Sequence, residues 1–142
     1  MGFKKVIRLI LLSTIICIWS TSCNYDNIES KFTNYDAAMD ENYFDRGWIP
    51  KELANNQMKK IYVKNDLDKN TCIFSYHLPR TELEKLEEKL IRLEQNYTDR
   101  MNISNSKWFE RDLLNLPKYR SDDFKHGIAI NKEKKIVYGW LN

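Results

Sequence analysis

The chain has 142 residues and a formal net charge of +3, from 23 Lys and Arg against 20 Asp and Glu. That length makes one domain, able to bury roughly two thirds of its unfolded surface, and leaves no room for a second. Its surplus cations, Lys4, Lys5 and Arg8, all stand at the extreme N-terminus; the rest of the chain is balanced, which removes the electrostatic case for nucleic acid or a generally anionic partner.

Residues 1–22 read as a signal peptide: a basic start, an apolar run from Leu9 to Trp19, and a small-residue end, Ser20-Thr21-Ser22, before Cys23. The uninterrupted apolar run is about half of the roughly 20 residues that a membrane-crossing helix needs, so a permanent transmembrane anchor is not expected. Ser20-Thr21-Ser22-Cys23 resembles the lipobox of bacterial lipoproteins, although Ser20 stands where those proteins usually carry an aliphatic residue. The resemblance implies cleavage before Cys23, acyl chains on its sulfur and a lipoprotein held on a membrane of the bacterial cell envelope. Ordinary secretion with cleavage after Ser22, or an uncleaved anchor, are the alternatives.

Residues 23–33 are polar with scattered aromatics and read as the lipidated N-terminus and a tether, leaving 34–142 as a single globular α+β domain. Thr33 is a helix N-cap with Asp36 three residues on, opening a short helix that ends near Asn42. The run Asp45-Arg46-Gly47-Trp48-Ile49-Pro50 is a turn that sets Trp48 against the core. From Ile61 the apolar period becomes two and predicts a strand to Asn65, joined through the turn-rich Asn65 to Asn70 to a hairpin partner over Thr71 to His77.

Pro79 stops that strand, and Thr81 with Glu84 forms a capping box for the main helix. Its stripe of Leu83, Leu86, Leu90, Leu93 and Tyr97 covers about two heptads, enough to pack on the domain's own sheet but short of a coiled-coil seam, the other use of such a stripe. Glu88 and Arg92 lie four apart on that helix. Trp108, Phe109, Leu113 and Leu116 then suggest a short helix from Ser106 to Pro117. A closing hairpin pairs Ile128 and Ile130 with Ile136, Tyr138 and Trp140. The expected fold is therefore α+β: a small antiparallel sheet of two hairpins, about four strands, packed by one main amphipathic helix and short flanking helices.

The chain also resembles a group of small bacterial envelope proteins and lipoproteins to which no activity is assigned. The pieces that carry this are Tyr35-Asp36-Ala37, Arg46-Gly47-Trp48-Ile49-Pro50, Ile61 leading into Asp66-Leu67-Asp68-Lys69-Asn70, and Ile136-Val137-Tyr138-Gly139-Trp140. The likeness implies a shared fold and no particular reaction.

No set of residues names a catalytic constellation. Asp66, Asp68 and Asn70 have the alternate spacing that opens an EF-hand loop, but Thr71 replaces the glycine that such a loop needs and His77 replaces its bidentate glutamate. A hydrogen-bonded turn is the plainer reading. Cys72 is left without a partner if Cys23 carries lipid, and is then an inert buried thiol, a reactive one, or, with Cys23 unlipidated, half of a disulfide. His77 is five residues from Cys72 on one strand and points to the opposite face; His126 meets Cys72 only if the fold brings them together. No cofactor motif and no zinc spacing are present. The aromatic residues Trp48, Trp108, Phe109, Tyr138 and Trp140 are the candidate binding surface. The first expectation is a non-catalytic module binding an envelope protein or cell-wall component. An envelope hydrolase using Asp66, Asp68 and His126, or a structural spacer, are its rivals.

Overall fold

The computed structural model describes residues 27–93, 113, 115–120 and 126–141. Two meanders meet in one antiparallel sheet. The first runs through β1 (Asn27–Asn34), the short helix α1 (Tyr35–Asp40), a 3-10 turn (Lys51–Leu53), β2 (Lys59–Asp66) and β3 (Thr71–His77). Helix α2 (Arg80–Lys89) carries the chain across to the far edge. There β4 (Ile91–Arg92), β5 (Lys118–Arg120), β6 (His126–Asn131) and β7 (Ile136–Leu141) step back inward. The strand order is β1-β2-β3-β7-β6-β5-β4, with every neighbour antiparallel.

This corrects the expected α+β fold of about four strands packed by a main helix. The described residues form one seven-stranded sheet with two small helices. Three strands were illegible for physical reasons. β1, part of the expected tether, is an edge strand in which Ile28, Ser30 and Phe32 lie opposite the buried Asn65, Val63 and Ile61 of β2, none of the three itself fully buried, while Glu29, Lys31 and Thr33 alternate with them, so its apolar content is low. β4 and β5 are two and three residues long and exist only through their partners. The two expected hairpins do appear, as β2–β3 and β6–β7.

The helices differ in detail as well. Asn34, not Thr33, caps α1, its side chain accepting from the Ala37 N–H at 3.0 Å. The capping box of α2 does not form: Pro79 occupies the N-cap, and its carbonyl accepts from Glu82 and Leu83. Glu84 instead pairs with Arg80, and Glu82 with Lys85 and Asn55. The leucine stripe predicts a helix through Tyr97, but Leu90 turns extended, at φ −98 and ψ 143, because Ile91 and Arg92 pair with β5. Sheet pairing there wins over helix propensity, and the Glu88–Arg92 helix pair is lost. Leu83, Leu86 and Leu90 pack on the sheet. The expected helix over Ser106 to Pro117 falls mostly outside the described residues.

The sheet is covered on both faces. Ile61, Val63, Cys72, Phe74, Tyr76, Ile128, Ile130, Val137 and Tyr119 share one face with Leu83, Leu86, Ile49 and Leu53. Ile73, Ala129, Tyr138 and Trp140 face the other way, against Leu113 and Leu116. This is why Cys72 to Tyr76 are buried without a break: a strand covered on both sides loses its polar alternation.

At the centre Phe74 lies over Gly139, its register partner; an added Cβ there would stand 2.0 Å from the Phe74 ring. Gly127 makes the same room for Trp140, at 2.1 Å. Tyr76, parallel to Phe74 at 6.2 Å, is fully buried, and its hydroxyl has no hydrogen-bond partner among the described residues. The two halves are also tied through Glu87 of α2, which bonds the Tyr119 hydroxyl of β5 and pairs with Lys132 at 2.6 Å in the β6–β7 turn.

Two substitutions test this packing. Gly139→Ala is expected to lower the urea midpoint by an amount equal to about 1–3 kcal/mol, the usual overpacking cost. Tyr76→Phe removes an orphan hydroxyl whose burial costs about 1–3 kcal/mol and is expected to leave the midpoint unchanged or raised; a clear loss would mean that the hydroxyl is satisfied in solution.

Candidate functional site

The chemistry-bearing side chains collect in one cross-strand row. Asn65 of β2 is opposite Cys72 of β3, Cys72 opposite Leu141 of β7, and Leu141 opposite His126 of β6. Paired residues project to the same face, so Asn65, Cys72 and His126 share the face of the larger core. Leu141 stands between the thiol and the imidazole.

The turn singled out in the sequence lies over this row. Gly47 has φ +76, a left-handed backbone that a side chain disfavours, while an added Cβ would meet nothing within 4 Å. Glycine is needed there for conformation, not for space. The Gly47 N–H donates to Phe44 and that of Arg46 to Asn42, at 3.2 and 3.1 Å, closing the turn. Asp45 pairs with Lys51 at 2.6 Å, and the Arg46 guanidinium lies over the Tyr43 ring. Ile49 then drops into the core at 0% exposure, and the Pro50 carbonyl starts the 3-10 turn by accepting from Leu53.

The carbonyl of Trp48 points down at Cys72, whose thiol donates to it at 3.4 Å. Burial pushes that thiol from an ordinary 9.0 up to about 12. Burial also lowers the pKa of His126, with the Glu52 carboxylate pulling weakly the other way. Both groups are therefore neutral near pH 7. A thiol nucleophile needs the reverse, a thiolate stabilised by a cationic imidazole. His77 is set apart on the opposite face of the sheet, as its spacing from Cys72 requires, and its pKa is lowered by burial and then by Lys60.

The Asp66, Asp68 and Asn70 turn resolves just as specifically. Asp66 accepts from the Lys69 N–H at 3.1 Å and pairs with the Lys69 ammonium at 3.1 Å. These bonds hold its carboxyl below the ordinary range. Asn70 closes the turn at φ 51, a conformation Asn tolerates, and its N–H donates to Leu67. Lys69 supplies the positive charge that a bound cation would bring. Among the described residues no three His, Cys, Asp or Glu side chains are grouped to hold a metal ion.

Asp66, Asp68 and His126, the hydrolase candidates, do not converge. Asp66 ends β2 and His126 begins β6, three strand spacings away and about 14 Å at about 4.8 Å each. Of the aromatic candidates, Tyr138 and Trp140 are 1% and 2% exposed and pack in the smaller core, while Trp48 is half-buried against the larger one. Trp108 and Phe109 lie outside the described residues, as does Cys23. The neutral row of Asn65, Cys72 and His126 left no trace in the sequence beyond His126 standing near the start of an apolar strand; register alone assembles it.

Residues 26–77 match the family model of the YbbD head domain. The matched stretch holds β1, α1, β2 and β3, the first meander, a little over a third of the chain. It contains the Arg46 to Pro50 turn and the Asp66 to Asn70 turn, so this half of the sheet is similar to that domain. No curated protein and no solved structure matches the chain.

A thiol in this state is expected to resist iodoacetamide at pH 8 in the folded protein and to react once urea unfolds it. Its raised pKa has a second consequence. Below about 9 the thiol is protonated in both states, whereas above that only the unfolded chain loses the proton, so Cys72 draws stability down as pH rises from 9 towards 12. Cys72→Ala is expected to flatten that alkaline loss in a pH series of urea midpoints.

Proposed function

We propose that the chain is a lipid-anchored interaction module of the bacterial cell envelope, held by acyl chains on Cys23, that binds an envelope protein or cell-wall component without catalysis. The observation that carries the non-catalytic part is the state of its reactive groups. Cys72 is a neutral thiol engaged with the Trp48 carbonyl, His126 is a neutral imidazole screened from it by Leu141, and Asp66 is spent on its own turn. Each serves the fold.

The anchor is supported by the leader and by Ser20-Thr21-Ser22-Cys23. The likeness of residues 26–77 to the YbbD head domain supports a module whose first meander is reused in other proteins. Among the described residues no helix is long and apolar enough to cross a membrane.

The test is the intact mass of the protein extracted from its own membrane, followed by incubation with isolated cell wall. The expected chain starts at Cys23, carries diacylglycerol or more, and releases no soluble fragments. A chain two hydrogens light, with Cys23 joined to Cys72, would remove the anchor. Fragment release that His126→Ala abolishes would replace the module with a hydrolase.

A further inference from the structure

The edge strand leaves almost no tether. β1 begins at Asn27, so only Asn24, Tyr25 and Asp26 separate Cys23 from the sheet. A fully extended chain covers about 14 Å over those four steps. The headgroup layer on one side of a bilayer is itself roughly 5–7 Å deep. A lipid on Cys23 therefore holds the sheet against the membrane instead of letting it swing clear.

Register says which end is held. Asn27 is opposite Asp66 and Ile28 opposite Asn65, so the start of β1 lies beside the β2–β3 turn. Two of the exposed large apolar side chains are there: Leu67 at the tip of the turn, 48% exposed, and Ile28 at 37%. Met39 on α1 and Ile91 on β4 are exposed elsewhere. The turn is ordered before any contact by the Asp66 bonds to Lys69 and the Asn70 bond to Leu67. Presenting Leu67 on it therefore costs little further entropy. The charges around it largely cancel in pairs, Lys69 with Asp66 at 3.1 Å and Lys64 with Glu29 at 3.4 Å, leaving Asp68 exposed. The other end of the sheet, about 20 Å away over six residues of strand, ends in Lys132 to Lys135 with one acidic residue among them.

We propose that the end of the sheet formed by the start of β1 and the β2–β3 turn is seated on the bilayer that holds the acyl chains, with Leu67 placed among the headgroups and Ile28 beside it. This rests on the lipid anchor proposed above. The β6–β7 turn then faces away from the membrane and is the end open to a partner. Because the seat draws on the tether and on apolar contact, and the one charge left over, Asp68, is negative, it does not depend on anionic lipid.

The experiment uses the full lipidated protein in phosphatidylcholine vesicles containing spin-labelled lipid. An environment-sensitive fluorophore is attached through Asp68→Cys, or through Glu133→Cys at the far end; Cys72, buried, stays unlabelled. Quenching several-fold stronger at 68 than at 133 is expected, unchanged by high salt or by added phosphatidylglycerol, and reduced several-fold by Leu67→Asp. Flotation of the protein with the vesicles reads the anchor separately. If it floats and position 68 is quenched no more than 133, the seat is overturned and the anchor stands. Equal quenching with and without Leu67→Asp overturns the role of Leu67. Failure to float overturns the anchor and the seat together.

Discussion

The pairing of β3 with β7 holds the two meanders together. β3 closes the first and β7 closes the second, far apart in sequence, and their six-residue ladder from Cys72–Leu141 to His77–Ile136 is what makes one sheet of them. At its centre Phe74 lies on Gly139, and the row continues outward on both sides through Val63 and Ser30, and through Ile128 and Tyr119. A side chain on Gly139 would push Phe74 out of the core that α2 and the Trp48 turn cover. The room made by two glycines, Gly139 under Phe74 and Gly127 under Trp140, lets both faces pack tightly on a thin, six-residue ladder.

That constraint also explains the chemistry. The seam that joins the halves brings a thiol and an imidazole onto one face, the thiol buried beneath the Trp48 carbonyl and the imidazole half-buried at the start of β6. Burial acts on each in the direction that favours its neutral form, upward for the thiol and downward for the imidazole. With Leu141 between them, the row is a polar stripe that runs from buried Asn65 and Cys72 to half-buried His126.

The proposed anchor and the fold would bear on each other more closely than a long tether would allow. Because β1 takes up residues 27–34, only three residues separate it from Cys23, and in the proposed lipid-anchored state the orientation of the domain would follow from where β1 starts. A lipid at that position would make the Leu67 turn the membrane side and the Lys132 to Lys135 turn the outer side.

What the sequence by itself determined about the described residues was local: the two hairpins β2–β3 and β6–β7, the turn at Arg46 to Pro50, and a leucine stripe that packs on a sheet. Each is written in the spacing or turn chemistry of neighbouring residues. Only the tertiary structure decided the seven-strand order, the edge strand hidden in polar residues 27–34, the early end of α2 and the meeting of Asn65, Cys72 and His126. Those features depend on which strand lies beside which. The partners are up to some seventy residues apart in the chain, and pairing, unlike periodicity, is a property of two segments that neither one displays alone.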